Sequence, residues 1–213
     1  MKSEALLNKV LKPNGNYPLT RLGRYNDGGY LIDGRQLGVC DTLISLGVND
    51  DWSFERQFLA LNDCPSFSYD GSVSSSVFMT RVLKSLARPW RLSKVFWCLQ
   101  VLFDYQVFFT GTRRHIKKFV GFDDRENCIA MNDLFREHQG SNNIFLKIDI
   151  EGYEDKALIP FFHKAKKSLF PTNILIEHSG KQFWENDLIK FLLELGYKKV
   201  FKNKSNLALS LKR

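Results

Sequence analysis

The sequence predicts an α/β fold built on a mostly parallel, doubly wound sheet, and three observations predict it. Short apolar runs such as "TLISL" and "IFLKI" are rich in residues that favour strands. Longer segments with apolar residues at helical spacing separate these runs, and strands that alternate with helices pair in parallel with helices on both faces. The chain of 213 residues is 44% apolar and 25% charged, a composition that suits one globular domain spanning 1–213.

In the first half of the chain, residues 1–12 are predicted to form a helix, and the segment "KPNGNYP" a loop. The predicted strands are Tyr30–Ile32, Thr42–Leu46 and the run "SFSYDGSV". Gly47 ends the second strand, and the acidic run that follows it supplies caps for a helix that contains Trp52, Phe54 and Phe58.

Residues 74–114 differ from the rest because they combine large aromatic residues with arginine and lysine. The segment is too short for its own core, so we predict an insertion. One alternative is a helical hairpin whose aromatic residues pack on the sheet while its basic residues face water. The other is a lid over an acceptor substrate, or an element that contacts a membrane, since basic and aromatic residues together suit anionic lipid surfaces.

The second half contains two strong strands, "IFLKIDIEG" and "TNILIEHSG", each followed by a helix. The first of these helices contains Pro160 and the second ends at Gly196. Weaker strands are predicted at "HIKKFVGF" and at the start of "ENCIAMNDLFREHQG", which continues as a helix. "KKVFKN" and "LALSLKR" are predicted to form a closing antiparallel hairpin. Glu154 and Asp155 are interpreted as first-turn charges that suit a helix dipole.

Charge and cysteine usage restrict the partners. The 31 Lys and Arg residues and 23 Asp and Glu residues give a net charge of +8. This charge favours anionic partners such as nucleic acid, phosphorylated glycans, nucleotide-linked substrates or a membrane surface, and it does not choose among them. No aromatic RNA-binding signature accompanies the basic tail, so no nucleic acid partner is expected. The four cysteines lack metal-binding spacing and are predicted to be reduced thiols in a cytoplasmic protein. No signal peptide or membrane span is predicted.

The strand ends carry the candidate chemistry, because open α/β sheets bind ligands beyond the carboxyl ends of their strands. Gly47 precedes the free N–H groups of a helix, and Asp70, at the next strand end, is placed to accept hydrogen bonds from ribose hydroxyls. Acidic residues at Asp50, Asp51 and Glu55 would repel a pyrophosphate and tolerate an ammonium and a sulfonium. With no full GxGxxG present, these features favour S-adenosylmethionine over NAD.

Two further strand ends carry Asp149 with Glu151, and Glu177 with His178. If they converge, a carboxylate beside an imidazole could serve as a general base for a hydroxyl, or Asp149, Glu177 and His178 could hold a divalent metal. Lys147 shares one side of its strand with Asp149, and a buried lysine needs an acidic partner, which could be Asp149 or another acid.

The motifs "RLGRYNDGGYLI", "LISLGVNDDWSFE", "YDGS", "LKIDIEGYE" and "ILIEH" stand in the order found in FkbM-like class I methyltransferases, which this chain resembles over roughly 20–73 and 115–180. The resemblance implies a Rossmann-like fold, S-adenosylmethionine as cofactor and methyl transfer to a hydroxyl. The implied cofactor-binding residues are Gly47, Val48, Asn49, Asp50, Ser53, Phe54, Asp70, Gly71, Ser72, Tyr25, Asp27 and Tyr30. The implied catalytic residues are Asp149, Glu151, Glu177 and His178, and Lys147 is added as a candidate because it shares a side of its strand with Asp149. The loop after Gly47 departs from many methyltransferases in having a single glycine.

The expected function is therefore an O-methyltransferase that acts on a sugar or glycan. The acceptor could be a cell-surface polysaccharide or its nucleotide- or lipid-linked precursor, methylated in the cytoplasm or at the inner face of the membrane. Two alternatives stay open. One is a methyltransferase for a small natural product, and the other is a non-catalytic methyltransferase-fold protein in a glycan-assembly complex.

Overall fold

The computed structural model describes residues 16–24, 29–87, 90–121, 127–150, 152–177, 184–202 and 206–211, with the side chains of 184–186 excepted. The predicted helix at 1–12 lies outside this range. The strands are β1 (Leu19–Leu22), β2 (Tyr30–Asp33), β3 (Thr42–Leu46), β4 (Ser66–Tyr69), β5 (Arg113–Ile116), β6 (Phe119–Gly121), β7 (Cys128–Ala130), β8 (Ile144–Ile148), β9 (Asn173–Glu177), β10 (Tyr197–Lys202) and β11 (Asn206–Leu211). The helices are α1 (Ser53–Leu61), α2 (Ser75–Leu86), α3 (Leu92–Phe108), α4 (Met131–Glu137), α5 (Glu154–Lys164) and α6 (Trp184–Glu194).

The main sheet has the strand order β10-β11-β9-β8-β3-β4-β5, and it is parallel except for β11, which runs antiparallel to β9 and β10. The predicted fold class is confirmed. From β3 the chain proceeds through β4 to β5 on one side, and then returns to the other side of β3 to form β8 and β9. The carboxyl ends of β3 and β8 therefore border the crevice at the switch point, where such sheets bind their ligands.

The core lies on both faces of this sheet. Every residue of β3 and β8 is buried, which is why both strands appear in the sequence as nearly continuous apolar runs. Leu146 and Ile148 face a cluster with α4, α5 and α6, whereas Phe145 faces the opposite cluster with α1, β2 and the C-terminal hairpin. Lys147 alternates with Leu146 and Ile148 and so points to the same face as Phe145.

Two predicted strands differ in detail. The run "HIKKFVGF" is divided between β5, in the main sheet, and β6, which pairs in parallel with β7 in a separate two-stranded sheet. Exposed Lys117 and Lys118 separate the two strands, and the Lys118 N–H donates to the Ile116 carbonyl across this bend. The strand predicted at Tyr30–Ile32 exists as β2, but it pairs with β1 in an antiparallel hairpin outside the main sheet.

The segment at 74–114 contains the helices α2 and α3, as the hairpin alternative predicts. Their buried aromatic residues, which include Phe78, Tyr105 and Phe108, pack around Trp52 at the start of α1. Tyr105 also contacts the edge of the sheet, where its hydroxyl lies 2.8 Å from His115 Nδ1 in β5. The four cysteines are free thiols, as predicted. Within the described ranges, none of the helices is both long and apolar enough to cross a membrane.

Candidate active site

Gly47 brings three strand ends together at the switch point. Its N–H donates to the Tyr69 carbonyl at 2.9 Å, and the Asp149 N–H donates to the Leu46 carbonyl at 2.8 Å. Gly47 has a φ of +79°, and a Cβ at this position would lie 1.8 Å from the Asp149 carbonyl oxygen. Only glycine fits this approach, so the sequence places the predicted cofactor loop against the loop that carries Asp149.

Asp70 organises the loop that follows β3. Its Oδ2 accepts hydrogen bonds from the N–H groups of Val48 at 3.0 Å and Asn49 at 2.8 Å, and its Oδ1 accepts from the Ser72 N–H at 2.8 Å and the Ser72 hydroxyl at 2.5 Å. Burial alone would raise the pKa of Asp70, but the hydrogen bonds from Ser72, Val48 and Asn49 outweigh burial and lower it. The carboxylate is therefore held in its ionised form.

These contacts also bear on the predicted role of Asp70 as a ribose ligand. A carboxylate offers about four lone-pair positions, and four protein donors already point at this one. A ribose hydroxyl would have to share an oxygen with one of these donors or displace it. The ribose role stays a prediction. Gly71, also predicted to contact the cofactor, packs under the Phe119 ring, where a Cβ would lie 2.4 Å from a ring carbon.

The acidic residues beyond Gly47 have basic partners. Asp50 forms an ion pair with Arg81 at 3.0 Å, and Asp51 lies 3.5 Å from Arg24 while its carboxylate caps α1 through the Ser53 N–H at 3.0 Å. Because these charges are balanced, repulsion of a pyrophosphate no longer distinguishes one cofactor from another. The Ser53 hydroxyl accepts the Arg24 N–H at 3.1 Å and so faces the chain that leads into the "NDGG" segment.

Lys147 forms a buried ion pair with Glu55. Its Nζ lies 3.1 Å from Glu55 Oε1, and the two side chains are 4% and 0% exposed. Burial alone would lower the pKa of Lys147, but the charges of Glu55, Asp149 and Glu177 outweigh it and raise the pKa. The ammonium therefore stays charged among three carboxylates. The prediction that this lysine is paired with an acid is confirmed, and the hydrogen-bonded acid is Glu55.

Tyr30 connects β2 to the end of β9. Its hydroxyl donates to Glu177 Oε2 at 2.5 Å, and its ring packs edge-on against Phe54 with 5.3 Å between centroids. Lys147 Nζ lies 5.1 Å from the centre of the Tyr30 ring. Burial and the hydrogen bond to Glu177 raise the pKa of Tyr30, so its hydroxyl stays protonated and fixes the orientation of the carboxylate.

The structure thus places the predicted residues in two adjoining groups. The first comprises Gly47, Val48, Asn49, Asp70 and Ser72, and the second comprises Tyr30, Phe54, Lys147, Asp149 and Glu177. Tyr25, Asp27, Glu151 and His178 lie outside the described residues. Within the described ranges, no group of three His, Cys, Asp or Glu residues could hold a metal ion. The predicted metal set includes His178, so it stays a prediction.

Two residues contribute to the site in ways that the sequence did not show. The sequence predicts Glu55 only as one of several acids near Gly47. In the structure it follows Phe54 on the buried side of α1 and pairs with the buried Lys147. Glu154 lies in the first turn of α5, as the sequence predicts, but its contacts go beyond the helix dipole. It is 3% exposed, and its Oε1 accepts the N–H groups of Ile150 at 3.3 Å and Gly152 at 3.2 Å. It therefore holds the turn after Asp149.

The chain is similar to one known protein family and to two solved structures. Residues 102–199 match the family model described as the methyltransferase FkbM domain, a segment that includes β8 and β9 but not Gly47 or Asp70. Among solved structures, the chain resembles a protein assigned as a caffeoyl-CoA O-methyltransferase from Staphylococcus aureus. That likeness has 11% identity and a TM-score of 0.42, over 80% of this chain and 76% of that chain. It also resembles the fibrillarin pre-rRNA processing protein of Methanococcus jannaschii, with 10% identity and a TM-score of 0.37, over 93% of this chain and 85% of that chain. A search of curated protein sequences found no match.

Proposed function

We propose that this protein, an FkbM-like methyltransferase of the class I type that uses S-adenosylmethionine, methylates a hydroxyl oxygen of a sugar or glycan. The observation that carries the proposal is the buried ammonium of Lys147 among three carboxylates. Two of these carboxylates, Asp149 and Glu177, follow or end neighbouring strands at the crevice. Carboxylates at such an edge accept hydrogen bonds from the hydroxyls of a polyhydroxylated acceptor.

The residues around the switch point fit the cofactor. The loop at 47–49 is fixed by Asp70, and Ser72 lies beside it. The Asp149 backbone lies directly against Gly47, and the Asp149 carboxylate offers anionic oxygens to the ammonium of the methionine moiety. When bound, S-adenosylmethionine supplies an electrophilic methyl group, and its transfer to the acceptor oxygen leaves the electron pair of the broken carbon–sulfur bond on sulfur.

The chain must supply a base, since a sugar hydroxyl is a very weak acid and must lose its proton as the new bond forms. Among the described residues, Asp149 and Glu177 are the candidates, and the sequence adds Glu151 and His178. The Tyr30 hydroxyl donates a hydrogen bond to one oxygen of Glu177 and so orients this carboxylate. The second oxygen of Glu177 can then face an acceptor. Lys147 stabilises the negative charge on both carboxylates.

The overall charge supports an acidic acceptor. A net charge of +8 attracts phosphorylated, nucleotide-linked or lipid-linked glycans to the protein surface. The rate of methylation of an acidic acceptor should therefore fall as salt is added, because salt screens the attraction. A neutral acceptor is not attracted by the positive charge, so its rate should not depend on salt in this way.

The proposal is tested by incubating the protein with methyl-labelled S-adenosylmethionine and a panel of nucleotide sugars, lipid-linked glycans, free polysaccharides and small phenolic natural products. We expect alkali-stable label in a sugar-containing acceptor, because an O-methyl ether survives the treatment that removes an ester. The same glycan with its hydroxyls blocked by acetylation is the matched control and should stay unlabelled. Label confined to phenolic products, or failure of the wild-type protein to bind the cofactor, would overturn the proposal.

A further inference from the structure

The end of the α2–α3 hairpin exposes an unusual amount of apolar surface. We define the hairpin tip as residues 83–87 and 90–97, which include the end of α2 and the start of α3. Trp90 is 75% exposed, Phe96 68% and Leu92 63%, and the tip also exposes Leu83, Leu86 and Trp97. Of the described tip residues, only Ser85 and Val95 are buried. Clustered exposed apolar side chains of this size mark an interaction surface.

The apolar residues continue beyond the tip along one side of α3. Leu92, Phe96, Leu99 and Phe103 follow one another at spacings of four, three and four residues, and all are exposed. This spacing places them in a stripe on one face of the helix. The other face of α3 carries Cys98, Leu102 and Tyr105, which are buried in the cluster around Trp52. The helix thus has one face for the protein core and a second apolar face toward the outside.

Basic residues surround this surface. The tip contains Lys84, Arg91 and Lys94 and no acidic residue. Lys84, Arg91 and Lys94 are exposed in the structure. Across the longer range 75–118 the single acidic residue is Asp104.

Asp104 belongs to the base of the hairpin, away from the tip. Its Oδ2 accepts a hydrogen bond from the Trp52 indole N–H at 2.8 Å. Arg56 Nη2 donates to Oδ1 at 2.6 Å and to Oδ2 at 2.7 Å. The ion pair between Arg81 and Asp50, at 3.0 Å, holds the other helix to the loop after β3. The base is therefore tied to the cofactor-binding side of the domain, while the positive charge of the tip is not offset by acids within it.

We propose that the hairpin tip docks on an anionic lipid bilayer. Trp90, Leu92 and Phe96 enter the boundary between head groups and acyl chains, where aromatic side chains of this kind accumulate, and the basic residues contact the lipid head groups. A second copy of the chain is a poorer occupant, because two such tips would bring basic residues against basic residues. The inference concerns a surface away from the strand ends and does not depend on the acceptor proposed above.

The test is flotation of the purified protein with vesicles of phosphatidylcholine alone or with about one third phosphatidylserine. We expect binding to the anionic vesicles that weakens as salt is added. A basic residue near such a surface contributes a factor of about five, so the triple variant K84Q/R91Q/K94Q should bind roughly 100-fold more weakly. The matched control K164Q/K166Q/K167Q has the same net charge and should bind like the wild type, since those exposed lysines lie elsewhere.

A second pair of variants separates the apolar contribution. L92S/F96S should lose vesicle binding, whereas V39S/L61S, which alters two exposed apolar residues outside the hairpin, should keep it. Because the substituted side chains are exposed, the two charge variants and the two apolar variants should unfold at temperatures similar to that of the wild type. All four variants should still bind S-adenosylmethionine. Adding anionic vesicles should shift tryptophan emission to the blue in the wild type, and less in W90F. Absence of vesicle binding by the wild type, equal losses in the tip and control variants, or a dimer that L92S/F96S dissociates would overturn the proposal.

Discussion

Replacing Lys147 with methionine should destabilise the protein strongly, because it removes the partner of a fully buried carboxylate. Glu55 is 0% exposed, and its Oε2 already has no hydrogen-bond partner in the structure. In K147M the Oε1 loses the ammonium at 3.1 Å as well. Breaking a buried ion pair in this way costs about 3–5 kcal/mol, which corresponds to a fall in Tm of about 6–20 °C for a chain of this size.

The double variant K147M/E55L should recover most of that loss. Both buried charges are then gone, and apolar residues of similar volume often stabilise a site as well as the ion pair they replace, so we expect stability within about 2 kcal/mol of the wild type. The matched control is K190M, which breaks the exposed pair with Glu194 at 4.0 Å and should cost no more than about 0.5 kcal/mol.

Stability is measured by urea unfolding at neutral pH, and methyl transfer by the labelled assay. The refolded double variant should still bind S-adenosylmethionine but transfer the methyl group slowly, since Asp149 and Glu177 have lost their cation. A cost below about 1 kcal/mol for K147M, or a double variant no more stable than K147M, would refute the structural role given to this pair.

Three further substitutions test the rest of the site. In D70N the loss of a charged acceptor should cost about 2 kcal/mol at neutral pH. Because the folded-state pKa of Asp70 is lowered, its contribution is present above the usual pKa of about 4 and is lost as pH falls through the lowered value, so urea unfolding should show the two proteins converging in acid. G47A should abolish cofactor binding in calorimetry and unfold at much lower temperature than G111A, which shares a positive φ of +63° but has no atom within 4 Å of the new Cβ; equal effects would contradict the close approach. Y30F should slow transfer roughly tenfold or more without changing cofactor affinity, since only the hydrogen bond to Glu177 is lost, and an unchanged rate would remove Tyr30 from the site.

The main sheet and its strand ends were predictable because β3 and β8 are buried on both faces. Burial on both sides selects continuous apolar runs, and "TLISL" and "IFLKI" are visible as such in the sequence. The turns after β3 and β4 were also predictable, because glycine marks each of them in the sequence. Gly47 is required by the approach of Asp149, and the Asp70–Gly71 turn ends β4 where a strand-to-helix connection needs it.

Long-range pairing was harder to predict. Nothing in the local pattern around Glu55 shows that α1 packs over β8 and places this carboxylate beside Lys147. The second role of Glu154 is hidden for a related reason, since an acid in the first turn of a helix suits the dipole whether or not it also holds a neighbouring loop. The donors that surround Asp70 come from three positions in the chain, so the saturation of its carboxylate could only be seen once the loops were in place.

The rate of a single turnover, with S-adenosylmethionine bound before the glycan acceptor is added, tests most directly whether the acids at the ends of β8 and β9 act on an acceptor hydroxyl. A general base contributes about 10²–10⁴-fold, so at least one of E177Q and D149N should slow transfer by a factor in that range when S-adenosylmethionine is saturating. Cofactor affinity should stay close to that of the wild type in E177Q and fall in D149N, because the Asp149 carboxylate also faces the cofactor ammonium. E194Q, at an exposed position on α6, is the matched control and should react at the wild-type rate. Wild-type rates in both site variants would contradict the assignment of acceptor chemistry to this edge of the sheet.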